Sequence, residues 1–132
     1  MTLQEVHQRF FSFRNGIVAK TFHDAGDPHG RIFGLQLPQI AAIAREAGRD
    51  EGLARALWAE TDCREARLLA CYLFDPSTLS QEQALEMAAG CISREETDIL
   101  AWRLLRHLPF ADNLLPLLDG YAAEALARNL AP

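Results

Sequence analysis

The sequence predicts an all-α fold: a HEAT-like, armadillo-type α-α superhelix of stacked antiparallel helices. Three observations lead there. Alanine and leucine dominate the apolar residues while valine and isoleucine are sparse, and unbranched side chains lose the least freedom in a helix. Apolar positions recur at helical spacing in segments of ten to fifteen residues. Those segments open on Ser, Asp or Pro and close on Gly or Pro, as helices do. Short helices joined by short loops suit stacked pairs better than a long four-helix bundle. The length of 132 residues fits one such helical-repeat domain spanning 1–132.

About eight helices and no strand are expected. The first helical segment runs from Thr2 to about Asp24, with a break at Asn15-Gly16, where both residues tolerate the left-handed conformation. A loop follows from Ala25 to Leu37. Pro38 suits a first helical turn, and Ile40, Ile43, Ala44 and Ala47 then form one apolar face, ended by Gly48. Asp50 caps a helix over Glu51–Ala59 that carries Leu53, Leu57 and Trp58. Asp62 caps the next, over Cys63–Phe74, which is apolar nearly all round after Arg67 and is therefore expected to be central and buried. Asp75-Pro76 stops it. Ser80 caps Gln81–Ala89. Ser93 and Glu96 form a capping box for a helix reaching about Leu108, with Thr97, Leu100, Ala101, Leu104 and Leu108 on its core face. Asp112 caps a short helix interrupted by Pro116, and the last helix covers Asp119–Leu130.

The formal charge of −5 argues against a strong nonspecific nucleic-acid binder, since phosphate contacts supply most of such affinity. Cys63 and Cys71 fall on one helix about 12 Å apart, beyond the roughly 7 Å that a disulfide spans. Three reduced thiols and a cytoplasmic setting are expected. No signal peptide is visible at the N-terminus, and no stretch approaches the roughly 18 apolar residues of a membrane span.

Common catalytic and metal motifs are absent. His23, Asp24, Asp27 and His29 bring together metal-compatible side chains, but an Asp-Pro turn at a helix end accounts for them without a metal. No cofactor is implied. The best candidate is the helix beginning at Arg94. Along its flank Arg94, Asp98, Trp102 and Arg106 recur every fourth residue and make one surface stripe. Arg94 and Asp98 also read as a simple i,i+4 ion pair worth roughly 0.2–0.5 kcal/mol. The basic residues Lys20, Arg31, Arg45, Arg64, Arg67, Arg94, Arg103 and Arg106 either line one concave face or lie dispersed over an acidic surface.

Several segments carry a family resemblance: Arg31-Ile32-Phe33-Gly34-Leu35 with Pro38 through Ala44, Leu57-Trp58, Arg64-Glu65-Ala66-Arg67-Leu68-Leu69-Ala70, and the stretch down to Leu105-Arg106-His107-Leu108-Pro109. Over about Ile17 to Pro109 the chain resembles the bacterial DNA alkylation repair family, the AlkD-like HEAT-repeat DNA glycosylases. In that family Phe33-Gly34-Leu35 corresponds to a Phe-Gly-Val turn, and the Arg64 segment to His-Glu-Glu-Arg-Leu-Leu-Ala. The resemblance places Asp98 at the second aspartate of a Trp-Asp-x-x-Asp motif, which stabilises the positive charge on the sugar as an alkylated purine leaves. The motif's tryptophan, which packs on the DNA sugar, is here Arg94, and its first aspartate is Glu95. Trp102 lies one turn to the other side of Asp98. Arg45 takes a basic position of the family, whereas Ala41 stands where an arginine is frequent. Family members continue with further helices that supply a second aromatic wall, and the chain ends soon after Asp98, so that wall is expected to be missing.

The expected function is a divergent, shortened DNA alkylation repair protein. Asp98 is its catalytic candidate, and Trp102, Arg94, Arg45, Arg64, Arg67 and Arg106 are its substrate-binding candidates on duplex DNA in a local basic groove. With arginine in place of the tryptophan, little or no glycosylase turnover is expected. Two alternatives stand beside it: a noncatalytic helical-repeat module with a protein or nucleic-acid partner, and a helical chain that dimerises to cover its apolar end faces. No membrane partner is expected.

Overall fold

In the computed structural model, which describes residues 1–131, most helices begin where a side chain satisfies free N–H groups. Thr2 caps α1 (Leu3–Phe13) through a complete capping box with Glu5. Asn15 does not merely interrupt the first helical segment. Its side chain accepts from the N–H groups of Ile17 and Val18 and so starts α2 (Gly16–Asp24). Pro38 sits in the first turn of α3 (Leu37–Ala47), which Gly48 ends at φ +69°. Asp50 caps α4 (Glu51–Trp58) by accepting from Leu53 N–H. The next helix, α5 (Arg64–Leu73), has Cys63 rather than Asp62 at its cap position. Arg31 takes the Asp62 carboxylate instead, at 3.1 Å.

Ser80 and Gln83 form a capping box for α6 (Gln81–Gly90). Ser93 starts α7 (Arg94–Arg103) by accepting from Glu96 N–H, and Glu96 itself is buried. The helix stops short of the expected Leu108, because Leu104 leaves α geometry at φ −126° and residues Leu105–His107 tighten into a 3₁₀ turn. Such turns satisfy trailing carbonyls ahead of a proline such as Pro109. The short helix α8 (Ala111–Leu114) is entered from Phe110, so Asp112 lies within it and does not cap it. A 3₁₀ turn over Leu115–Leu117 accommodates Pro116, and α9 (Gly120–Leu130) follows.

Among the described residues there are nine α-helices and no strand, only one isolated bridge between Arg31 and Cys63. The chain is all-α, consistent with an α-α superhelix. No helix among the described residues is long and apolar enough to cross a membrane.

The chain packs as two compact units, Met1–Phe74 and Asp75–Pro132. In the first, α5 is the central element. It packs against α4 and α3, and every residue from Arg64 to Cys71 is buried. Leu68, Leu69 and Leu73 are nearly or wholly inaccessible, each stabilising the unit by about 1.5–3 kcal/mol. In the second, α7 packs against α9, with Thr97, Leu100, Ala101, Leu104 and Leu108 buried as the periodicity predicts.

Candidate functional site

The first cluster of charged residues lies inside the first unit. Gly34 adopts φ +89°, and a Cβ there would come within 2.2 Å of the Asn15 carbonyl oxygen. Only glycine allows this close passage of the Phe33-Gly34-Leu35 turn over the start of α2. The turn aims three consecutive N–H groups at Glu65: Phe33 donates to Oε1 at 2.8 Å, and Gly34 and Leu35 donate to Oε2 at 3.1 and 3.3 Å. Successive N–H groups of this kind form an anion-binding nest. Glu65 is wholly buried, and its charge is met by Arg64 Nη1 at 2.7 Å.

Arg64 is equally enclosed. It donates to the Leu35 carbonyl at 2.7 Å, its guanidinium lies 3.9 Å from the Phe22 ring centroid, and Asp27 Oδ2 is 3.8 Å from its Nε. Asp27 in turn holds the buried His29 ring at 2.5 Å. Of the four side chains around the end of α2, Asp27 and His29 therefore serve this interior network and Asp24 pairs with Lys20, and no metal-binding group of side chains exists among the described residues.

Arg67 also points inward. It is 2% exposed, donates to the Trp58 carbonyl at 2.8 Å and stacks over the Trp58 ring at 3.5 Å. Arg31 bridges Glu60 and Asp62 at the protein surface, and those hydrogen bonds, Asp62's first, raise its pKa further. Lys20 pairs with Asp24. Arg45 is exposed and has no ion-pair partner among the described residues. Burial pushes the Cys63 thiol up to about 11, and all three cysteines are free.

The second cluster lies in the second unit, between α7 and α9. Asp98 Oδ1 accepts from the Tyr121 hydroxyl at 2.7 Å and from Arg128 Nη2 at 2.9 Å. Arg128 also donates to the Tyr121 oxygen at 2.9 Å; this bond and the Asp98 charge raise its pKa. Asp98 therefore does not pair with Arg94. Arg94 lies over the Tyr121 ring at 4.6 Å, a cation–π arrangement. Trp102 is half-buried and carries the Arg103 guanidinium at 4.2 Å, and exposed Arg106 contacts His107 at 3.3 Å. The structure thus joins Arg94 and Asp98 through Tyr121, while Arg64 and Arg67 belong to interior contacts of the other unit.

Sequence reasoning missed Tyr121 and Arg128. Their spacing of seven puts them on one face of α9, which is a signal, but nothing local says that this face meets Asp98. It also missed how charge divides between the units. Met1–Phe74 holds nine Lys and Arg against nine Asp and Glu, whereas the sequence from Asp75 onward holds four against nine. The whole net negative charge belongs to the unit containing Asp98.

A family model, described as DNA alkylation repair enzyme, matches residues 6–125. The chain belongs to the DNA alkylation repair family. No curated protein and no solved structure matched it.

Proposed function

We propose that this chain is a DNA alkylation repair family protein that makes weak contact with duplex DNA and does not excise bases. The reading rests on one observation: the Asp98 carboxylate is already engaged by Tyr121 and Arg128. Excision of an alkylated purine requires a carboxylate whose field opposes a developing sugar cation. A guanidinium at 2.9 Å supplies that opposing charge beforehand and leaves less for the sugar. Arg94, at the position where the family carries tryptophan, offers no flat apolar surface for a sugar. Trp102 is covered on one side by Arg103.

Contact with DNA falls to exposed arginines, Arg45 in the first unit and Arg94 and Arg106 in the second. Arg64 and Arg67 act instead as structural cations. So few phosphate contacts on a chain of charge −5 support only weak affinity, which falls with salt in proportion to the number of contacts made. The packed helix pairs α4–α5 and α7–α9 serve as HEAT-like layers in this reading, and the free cysteines suit a reducing, cytoplasmic setting.

The test is a glycosylase assay on alkylated duplex DNA, run beside a fluorescence-anisotropy titration at low and physiological salt. The expected outcome is no base release above the uncatalysed rate, with weak binding that falls as salt rises and weakens further in Arg45→Glu. Base release that is abolished in Asp98→Asn overturns the reading in favour of an active enzyme. Binding unaffected by salt rules out phosphate contact.

A further inference from the structure

Five large apolar side chains stand exposed among the described residues: Phe11, Phe13, Ile17, Ile92 and Leu117. Three of them share the corner between α1 and α2, where Ile17 is 82% exposed. That corner is basic. Arg14 lies over the Phe11 ring at 3.7 Å and has no acidic partner among the described residues, Lys20 follows on α2 with its charge shared with Asp24, and no acidic residue occurs between Val6 and His23.

Leu117 belongs to a surface of opposite charge in the second unit. A groove of about 290 Å³ runs between α6 and the start of α9, lined by Leu85, Ala89, Leu117, Leu118 and Ala122 with Asp119 at its edge. For scale, a cavity of roughly 150 Å³ holds a benzene ring. Glu82 and Glu86 lie on the same face of α6 as Leu85 and Ala89. Glu82, Glu86 and Asp119 have no ion-pair partner among the described residues.

We propose that these two surfaces are the halves of a head-to-tail contact between copies of this chain. The α1–α2 corner of one copy seats Ile17 and Phe13 in the α6–α9 groove of the next. Charge selects this occupant. Two basic corners repel each other, as do two acidic grooves, whereas corner and groove attract. A symmetric contact through either surface alone is therefore disfavoured, and the pairing is heterologous. Each copy keeps one free corner and one free groove, so association extends with concentration or closes into a ring. This inference is independent of whether the chain excises bases.

Sedimentation velocity of the full chain over a hundredfold concentration range tests it. The average mass should rise with concentration and fall with added salt. Ile17→Glu and Leu117→Glu alter exposed side chains, and circular dichroism checks their folding. Each variant alone should remain monomeric. An equimolar mixture should form a dimer and nothing larger, because one intact corner meets one intact groove. Charge exchange gives a second reading: Glu82→Lys with Glu86→Lys should abolish self-association and regain partnering with an Arg14→Glu, Lys20→Glu chain. A wild-type chain monomeric at every concentration overturns the proposal. So does association that survives either Ile17→Glu or Leu117→Glu, or a mixture of the two that stays monomeric.

Discussion

The Gly34 N–H donates to the Glu65 carboxylate at 3.1 Å across thirty-one residues of sequence, so the turn before α3 is held by a charge on α5. Glu65 is wholly buried, and Arg64 beside it is 1% exposed. Removing either partner of such a pair leaves an uncompensated buried charge. Glu65→Ala should destabilise the chain by about 3–5 kcal/mol, read as a lower urea midpoint. Glu65→Gln, which keeps acceptor capacity but not charge, should also lose stability. A midpoint unchanged in both variants contradicts the role given to this carboxylate.

Gly34→Ala should be costly for two separate reasons. An L-residue at φ +89° is strained, and its Cβ meets backbone, which cannot swing aside as a side chain can. The loss should exceed about 1 kcal/mol. Gly26→Ala is the control for the second term: its φ is +100°, but nothing lies within 4 Å of its Cβ. Equal losses at the two sites in thermal melts would mean that the close approach to Asn15 is unimportant.

The core faces make a further prediction. Leu69→Ala in the first unit and Leu104→Ala in the second each empty a wholly buried position. Each should cost roughly 2–5 kcal/mol, measured by chemical denaturation. Losses below half a kcal/mol at both would show that these faces are not packed.

Thiol chemistry separates the cysteines. Cys63 and Cys71 are buried while Cys91 is partly exposed, and burial raises the Cys63 thiol to about 11. Since the thiolate is the reactive form, an aromatic disulfide reagent at mildly alkaline pH should modify Cys91 first. The other two should react only after denaturant is added. Rapid modification of all three in the native chain contradicts this. A reductant should leave the melting temperature unchanged.

Acid should weaken the Arg31–Asp62 contact. The Arg31 hydrogen bond lowers the Asp62 pKa below its ordinary value. The carboxylate then contributes stability above the usual range of about 3.9, and the contribution is lost as pH falls through the depressed value. Asp62 is exposed, so the effect is small. The difference in melting temperature between wild type and Asp62→Asn should be present at neutral pH and shrink in acid. A difference that grows on acidification reverses the sign of this linkage.

The sequence by itself determined the helical character, most helix starts and the core faces. The reason is locality. A cap acts within three residues, as at Thr2, Asp50, Ser80 and Ser93, and an apolar face repeats every turn. Locality also explains the misreading of Asp62. Its position suits a cap, but Arg31, brought close by the fold, offers charged donors and captures it. The same reasoning that identifies an arginine cannot say whether it faces solvent. Arg45 and Arg64 look alike in sequence, yet one is exposed and the other is enclosed by Leu35, Glu65 and Phe22. Only tertiary structure decided that Arg64 and Arg67 stabilise the interior, and that Asp98 meets Tyr121 and Arg128 rather than Arg94. Those partners lie 23 and 30 residues away, and a contact at that separation depends on how whole helices pack against each other, which no short pattern encodes.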